Sequence, residues 1–192
     1  MTKERIKELS DRIYKTISDN GFHTDDADYK YPEFKYIMLV ITEVAEAVEA
    51  DRKNLHADRE AFEKRSNVHP DFRERFKAYV KNTVEDEFSD IAIRLLDMMG
   101  IFKVEITEEM EKLADNIRTN VWNTADGGEF VDRAYVLTKI LTYGKYGVPE
   151  MTYYGLVYLE KWAESLDIDL EWHIDVKDKY NATRGYRHGK NY

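Results

Sequence analysis

The scarcity of helix-breaking residues is the feature of this sequence that most restricts its fold. Only three prolines and nine glycines occur among 192 residues. Between them, apolar residues recur three and four positions apart, which is the spacing of a helix, and no segment alternates as a strand does. We predict helices over residues 2–18, 33–52, 58–65, 71–99 (as one helix or two), 107–119, 129–143, 149–166 and 169–184. An all-α bundle with short connections follows.

Composition limits the classes of protein that this bundle can belong to. The chain has no cysteine, which excludes a disulfide scaffold, a thiolate metal site and a cysteine nucleophile. No stretch of 18 apolar residues is present, and the first 20 residues lack the apolar run of a signal peptide. We therefore expect a cytoplasmic protein that does not contact a membrane. The net charge of −9 argues against the binding of duplex nucleic acid.

Several common catalytic motifs are missing from the sequence. There is no glycine-rich phosphate loop and no GxSxG motif, and the five histidines are scattered without HExxH or Glu-x-x-His spacing. Catalytic chemistry must then come from carboxylates, amides, lysines and arginines. Carboxylates without histidine or thiolate ligands suit a hard cation, namely Mg²⁺ or, as the alternative, Mn²⁺.

Two acidic pairs stand out among the predicted helices. Glu43 and Glu46 lie in ITEVAEAVEADR, and Glu87 and Asp90 lie in VEDEFSDIAIRLLDMMG. Residues three apart in a helix share one face, and apolar residues flank both pairs on two sides. We therefore predict that both helices pack on two faces and direct these carboxylates inward.

Inward carboxylates repel one another and lose their hydration, which is costly unless a cation neutralises them. Two interpretations remain open at this point. One is a divalent metal held between the two helices. The other is a pair of salt-bridged helix faces, with Arg52 and Arg94 as the partners.

The C-terminal segment is basic, unlike the rest of the chain. Residues 177–192 carry a net charge of +4, so the preceding residues carry −13. Lys177, Asn181 and Arg184 share one face of the last predicted helix, and His188 and Lys190 follow in a glycine-flanked tail. Such a face suits a polyphosphate or a sugar hydroxyl. The alternative is a basic helix end that only complements the helix dipole.

Taken in this order, the motifs resemble a known family, the MazG-like nucleoside triphosphate pyrophosphohydrolases. This all-α group includes dimeric dUTPases and phosphoribosyl-ATP pyrophosphohydrolases. The EVAE segment and the EFSD segment, followed by IRLLDMM, match the family's ExxE and ExxD metal motifs. The closing YNATRGYRHGK is similar to the YN..R..HGK ending of one branch. The resemblance covers roughly residues 31–52, 84–99 and 162–190.

The resemblance implies an enzyme that hydrolyses a nucleoside triphosphate to the monophosphate and pyrophosphate. It implies a homodimer or a dimer of dimers, with Mg²⁺ as cofactor. Water would attack the α-phosphorus, and we choose Glu46 as the group that takes its proton. The implied metal ligands are Glu43, Glu46, Glu87 and Asp90, and the implied nucleotide-binding residues are Lys177, Asn181, Arg184, His188 and Lys190.

One departure from the family concerns the middle of the chain. Some 60 residues, about 101–160, separate segments that lie close together in the branch considered. We predict a single domain, residues 1–192, with a helical insertion there whose many tyrosines serve as core or interface rather than as base-stacking groups. Two other functions remain open: a non-catalytic MazG-like module that binds a nucleotide or a protein, and a redox metalloprotein, which lacks the expected Glu-x-x-His ligands.

Overall fold

The computed structural model describes residues 1–23, 30–65, 70–120 and 128–186, and within these ranges the protein is all-α, as predicted. Nine helices and no strand occur in these ranges. They are α1 (Lys3–Asp19), α2 (Pro32–Arg52), α3 (Arg59–Lys64), α4 (Phe72–Tyr79), α5 (Val84–Ile101), α6 (Glu108–Asn120), α7 (Phe130–Thr142), α8 (Val148–Ser165) and α9 (Leu170–Ala182). Most bounds agree with the predicted ones within two residues. The predicted segment 71–99 divides into α4 and α5. None of the described helices is both long and apolar enough to cross a bilayer.

Side-chain caps explain where most helices begin. A side-chain oxygen of the residue before the helix accepts a hydrogen bond from the backbone N–H three residues later, which satisfies a donor that the helix leaves unpaired. The capping residues are Thr2, Asp58, Asp71, Thr83, Thr107 and Asp169. In α2 the first turn instead contains Pro32, whose fixed φ suits that position.

Helix α5 is the central element of the fold. It packs against α1, α2, α8 and α9, and apolar side chains on two of its faces are fully buried, among them Phe88, Leu95 and Leu96. A helix that is apolar on more than one face belongs in a core. The polar side chains on the remaining narrow face of α5, such as Glu87, Asp90 and Arg94, are therefore buried or half-buried.

Helices α6 to α8 lie in the region predicted as an insertion and extend the same core. Helix α8 packs on α5, and α7 packs on both α8 and α2. Tyr153, Tyr154 and Tyr158 are buried in the main hydrophobic cluster, as predicted for core aromatics, whereas Tyr135 and Tyr143 are exposed. That this region is an insertion into a shorter family fold stays a prediction.

A second, smaller hydrophobic cluster joins α3 and α4 to α9. It consists of Phe62, Phe76, Val80 and Tyr180, and the Phe76 and Tyr180 rings stack with their centroids 4.2 Å apart. This contact holds the turn between α4 and α5 beside the last helix.

We expect the packing of α8 to tolerate no added bulk at Gly155. A β-carbon there would lie 3.0 Å from Leu141 Cδ2 and 3.6 Å from Leu95 Cδ1. Gly155→Val should lower the free energy of unfolding by about 2 kcal/mol, because overpacking displaces neighbouring side chains. At Gly144 a β-carbon meets nothing within 4 Å, so Gly144→Val is the control and should change stability by less than about 0.5 kcal/mol. Urea unfolding followed by circular dichroism measures both, and equal losses would contradict this packing.

Candidate metal centre and adjoining cleft

Three of the four predicted metal ligands converge between α2 and α5. Carboxylate oxygens of Glu43, Glu46 and Glu87 all lie within 4.8 Å of one another. Glu43 and Glu87 are buried, with exposed fractions of 6% and 5%, and Glu46 is exposed beside them. Three carboxylates at this spacing can ligate one Mg²⁺ or Mn²⁺ ion, because hard cations prefer oxygen ligands.

Glu87 is the least compensated of these carboxylates. In the part of the chain that the structure describes, its side chain makes no hydrogen bond and no ion pair, although the nearby charge of Lys177 lowers its pKa somewhat. Burial, together with the charges of Asp90 and Asp86, raises the pKa of Glu87 to about 8. A buried carboxylate in this position favours a proton or a cation as its neighbour.

Glu43 is partly neutralised by a neighbour on α5. Arg94 Nε and Nη2 donate to the same oxygen, Oε1, at 3.1 and 3.0 Å. Burial and the charge of Asp90 still raise the pKa of Glu43 despite this bond. Of the two salt bridges considered from sequence, the one with Arg94 is therefore present, whereas Arg52 pairs with Glu49.

Asp90, the fourth predicted ligand, is bound to Lys177. The ammonium Nζ donates to Asp90 Oδ2 at 2.5 Å and to Asp86 Oδ1 at 2.7 Å. Lys177 is buried, and although burial lowers its pKa, the charges of Asp90 and Asp86 raise that pKa above its ordinary value. An ammonium has three donors, so one remains for a ligand, and the predicted contact of Lys177 with substrate stays a prediction.

The carboxylates open onto a cleft with a volume of about 200 Å³. The predicted residues Asn181 and Arg184 line it, although α9 ends before Arg184. His188 and Lys190 lie outside the described residues. The lining residues that the sequence analysis did not propose for the site are Ile17, Phe22, Lys81, Asn82, Asp86, Ile93 and Tyr180. Asp86, Ile93 and Tyr180 lie within the motif segments VEDEFSD, IRLLDMM and YNATRGYRHGK, but the other four residues lie in none of them.

Comparisons of the chain with models of protein families, with curated proteins and with solved structures gave no match. The resemblance to MazG-like enzymes therefore stays a prediction.

The raised pKa of Glu87 predicts how the stability of the metal-free protein depends on pH. Between about pH 4.5 and 8 the folded state binds more protons at Glu87 than the unfolded state does, so the free energy of unfolding falls as the pH rises. Glu87→Gln removes this contribution. Between pH 5 and 8.5 we expect the free energy of unfolding of the wild type to fall by at least about 1.4 kcal/mol more than that of the variant, the equivalent of one pKa unit.

Urea unfolding in the presence of a chelator at several pH values measures this difference. Glu108→Gln, at an exposed position of α6, is the matched control and should follow the wild type. Identical pH profiles for wild type and Glu87→Gln would contradict the inferred environment of this side chain.

Proposed function

We propose that the protein is a Mg²⁺-dependent hydrolase that converts a nucleoside triphosphate to the monophosphate and pyrophosphate. The observation that carries this proposal is the buried Glu87 carboxylate, which has no partner among the described residues and faces Glu43 and Glu46. Burial of an uncompensated charge is costly. A divalent cation offsets that cost, and Mg²⁺ sites commonly share the ion between carboxylates and substrate phosphates. Mn²⁺ is the alternative ion.

The walls of the cleft support a nucleotide as the ligand. Arg184 supplies positive charge for phosphates, and Phe22 and Ile17 supply an apolar surface for a base. Because residues 1–176 carry a net charge of −13, a triphosphate needs such local cations for its capture.

In this proposal the carboxylates of the site have two different roles in hydrolysis. Glu43 and Glu87, with Asp90 beside them, would hold the ion, which when bound neutralises phosphate charge and lowers the pKa of a bound water. Glu46 lies at the exposed edge of the cluster, where it can accept the proton of the attacking water. The new oxygen–phosphorus bond forms at the α-phosphorus, and the bond to the bridging oxygen breaks, so that pyrophosphate leaves.

The remaining polar groups bind the substrate in this proposal. The Arg184 guanidinium provides a fork of donors for phosphate oxygens. Asn181 suits a phosphate or a ribose hydroxyl. His188 and Lys190 would close over the phosphates from the tail.

The proposal predicts that Glu46→Gln lowers kcat at least about 100-fold, the usual contribution of a general base. The free energy of unfolding should be unchanged or higher, because the substitution removes one charge from a crowded acidic cluster. Glu49→Gln is the matched control, since Glu49 is an exposed residue one turn further along α2 and pairs with Arg52. Pyrophosphate release from a panel of canonical and modified nucleoside triphosphates is the measurement.

The same panel separates the proposed enzyme from a non-catalytic binding module. Binding of a nucleotide by calorimetry without pyrophosphate release from any triphosphate would favour the binding module. Full activity in Glu46→Gln would remove this residue from the mechanism.

We also propose that the protein forms a homodimer or a dimer of dimers. Phe34 and Met38, one turn apart on α2, are each 58% exposed. With Ile37, Ile41 and Tyr143 they border an apolar groove of about 440 Å³ between α2 and the α7–α8 connection. Exposed contiguous apolar surface is typical of an interface.

The double variant Phe34→Glu/Met38→Glu should therefore sediment as a monomer, because a charge in an apolar interface is poorly compensated. Leu166→Glu changes another exposed apolar residue, at the end of α8, and should leave the assembly intact. Sedimentation velocity measures both. A wild-type protein that is monomeric at micromolar concentration would contradict the proposal.

A further inference from the structure

The basic side chains around the cleft differ in whether they are paired with a carboxylate. Arg94 donates twice to Glu43, and Lys177 donates to two aspartates. Lys81 and Arg184 line the same cleft, and no carboxylate of the described residues pairs with either. Positive charge that attracts an anion is therefore concentrated on these two side chains.

Lys81 lies in the short turn between α4 and α5, and the backbone of this turn is fixed at several points. Lys81 N–H donates to Phe76 O at 2.9 Å, and Thr83 Oγ1 donates to Val80 O at 2.6 Å. Asn82 has a positive φ of 62°, which asparagine tolerates better than most residues. The side chain of Lys81 is thus attached to a backbone with little freedom to move.

Asp86, a buried carboxylate of the candidate site, holds the turn between α4 and α5 in place. Asp86, 2% exposed, accepts the Asn82 N–H through Oδ2 at 2.9 Å and Lys177 Nζ through Oδ1 at 2.7 Å. The turn that carries Lys81 and the ammonium that holds Asp90 are therefore tied to the same carboxylate. Such support keeps a ligand-binding group in place before the ligand arrives.

The Lys81 ammonium has N–H donors that are available for a ligand. Its Nζ donates to Asn82 Oδ1 at 2.9 Å, which uses one of three donors and no negative charge. A lysine ammonium is a compact charge on a flexible stem and suits phosphate oxygens without requiring one fixed geometry.

We propose that Lys81 binds the phosphate chain of the substrate, in the cleft onto which the metal-holding carboxylates open. This inference rests on the proposed function and adds a residue that no sequence motif indicates. It also explains why the turn between α4 and α5 is so firmly attached to Asp86.

The test compares Lys81→Ala and Lys81→Arg with Lys77→Ala. Lys77 lies one turn earlier in the chain, is exposed and pairs with Glu74 at 2.9 Å. Lys77→Ala is the control because it removes one positive charge, as Lys81→Ala does. In pyrophosphate release, Lys81→Ala should lower kcat/KM at least about 10-fold, Lys81→Arg should restore most of it, and Lys77→Ala should stay within about twofold of the wild type. Unfolding midpoints within experimental error of one another establish that all variants fold.

A second readout does not depend on turnover. Calorimetric titration with Mg²⁺ and pyrophosphate should show weaker binding in Lys81→Ala by a similar factor, whereas titration with Mg²⁺ alone should be unchanged. Active wild type together with unchanged constants in Lys81→Ala would overturn this inference and leave the proposed function standing. If no triphosphate is hydrolysed, the proposed function fails. In that case the titration with Mg²⁺ and pyrophosphate tests the role of Lys81. That role is overturned if Lys81→Ala binds pyrophosphate as tightly as the wild type does, or if neither protein binds it.

Discussion

The organisation of this protein depends on carboxylates held in its interior, where the loss of hydration opposes their charge. Glu43, Asp86 and Glu87 are all buried at the junction of α2, α5 and α9. Two of the three have a basic partner: Arg94 for Glu43 and Lys177 for Asp86. Removal of one partner from such a pair is far more costly than the pair itself is stabilising, so the three helices have to remain in their observed arrangement.

The fold and the candidate site are therefore coupled. Helix α5 is apolar on two faces and is surrounded by other helices, so its narrow acidic face can only point into the gap beside α2 and α9. Helix α9 has to pack there for Lys177 to reach its two aspartates. The stacked rings of Phe76 and Tyr180 anchor that helix to α4, and this anchor also brings the turn with Lys81 to the cleft.

The sequence predicted the helices well because they depend on local signals, namely apolar spacing and, at the start, a capping residue or a proline in the first turn. It did not resolve whether residues 71–99 form one helix or two, because the turn at 80–83 has neither proline nor glycine and relies on Asn82 and Thr83. The convergence of Glu43, Glu46 and Glu87 was predictable from acidic pairs on helices that are apolar on two sides. The bond of Lys177 to Asp86 was not, since it joins residues 91 positions apart and leaves no local pattern.

A purely structural role for these carboxylates would place a cation against each of them. That holds for Glu43, Asp86 and Asp90 and fails for Glu87 among the described residues, although buried charges without a partner are rare in proteins. In the same cleft, the charges of Lys81 and Arg184 have no carboxylate partner among those residues. The cleft thus contains both acidic groups that favour a cation and basic groups that favour an anion. A metal ion chelated by a polyphosphate supplies both a cation and an anion, and its binding would neutralise both sets of groups together.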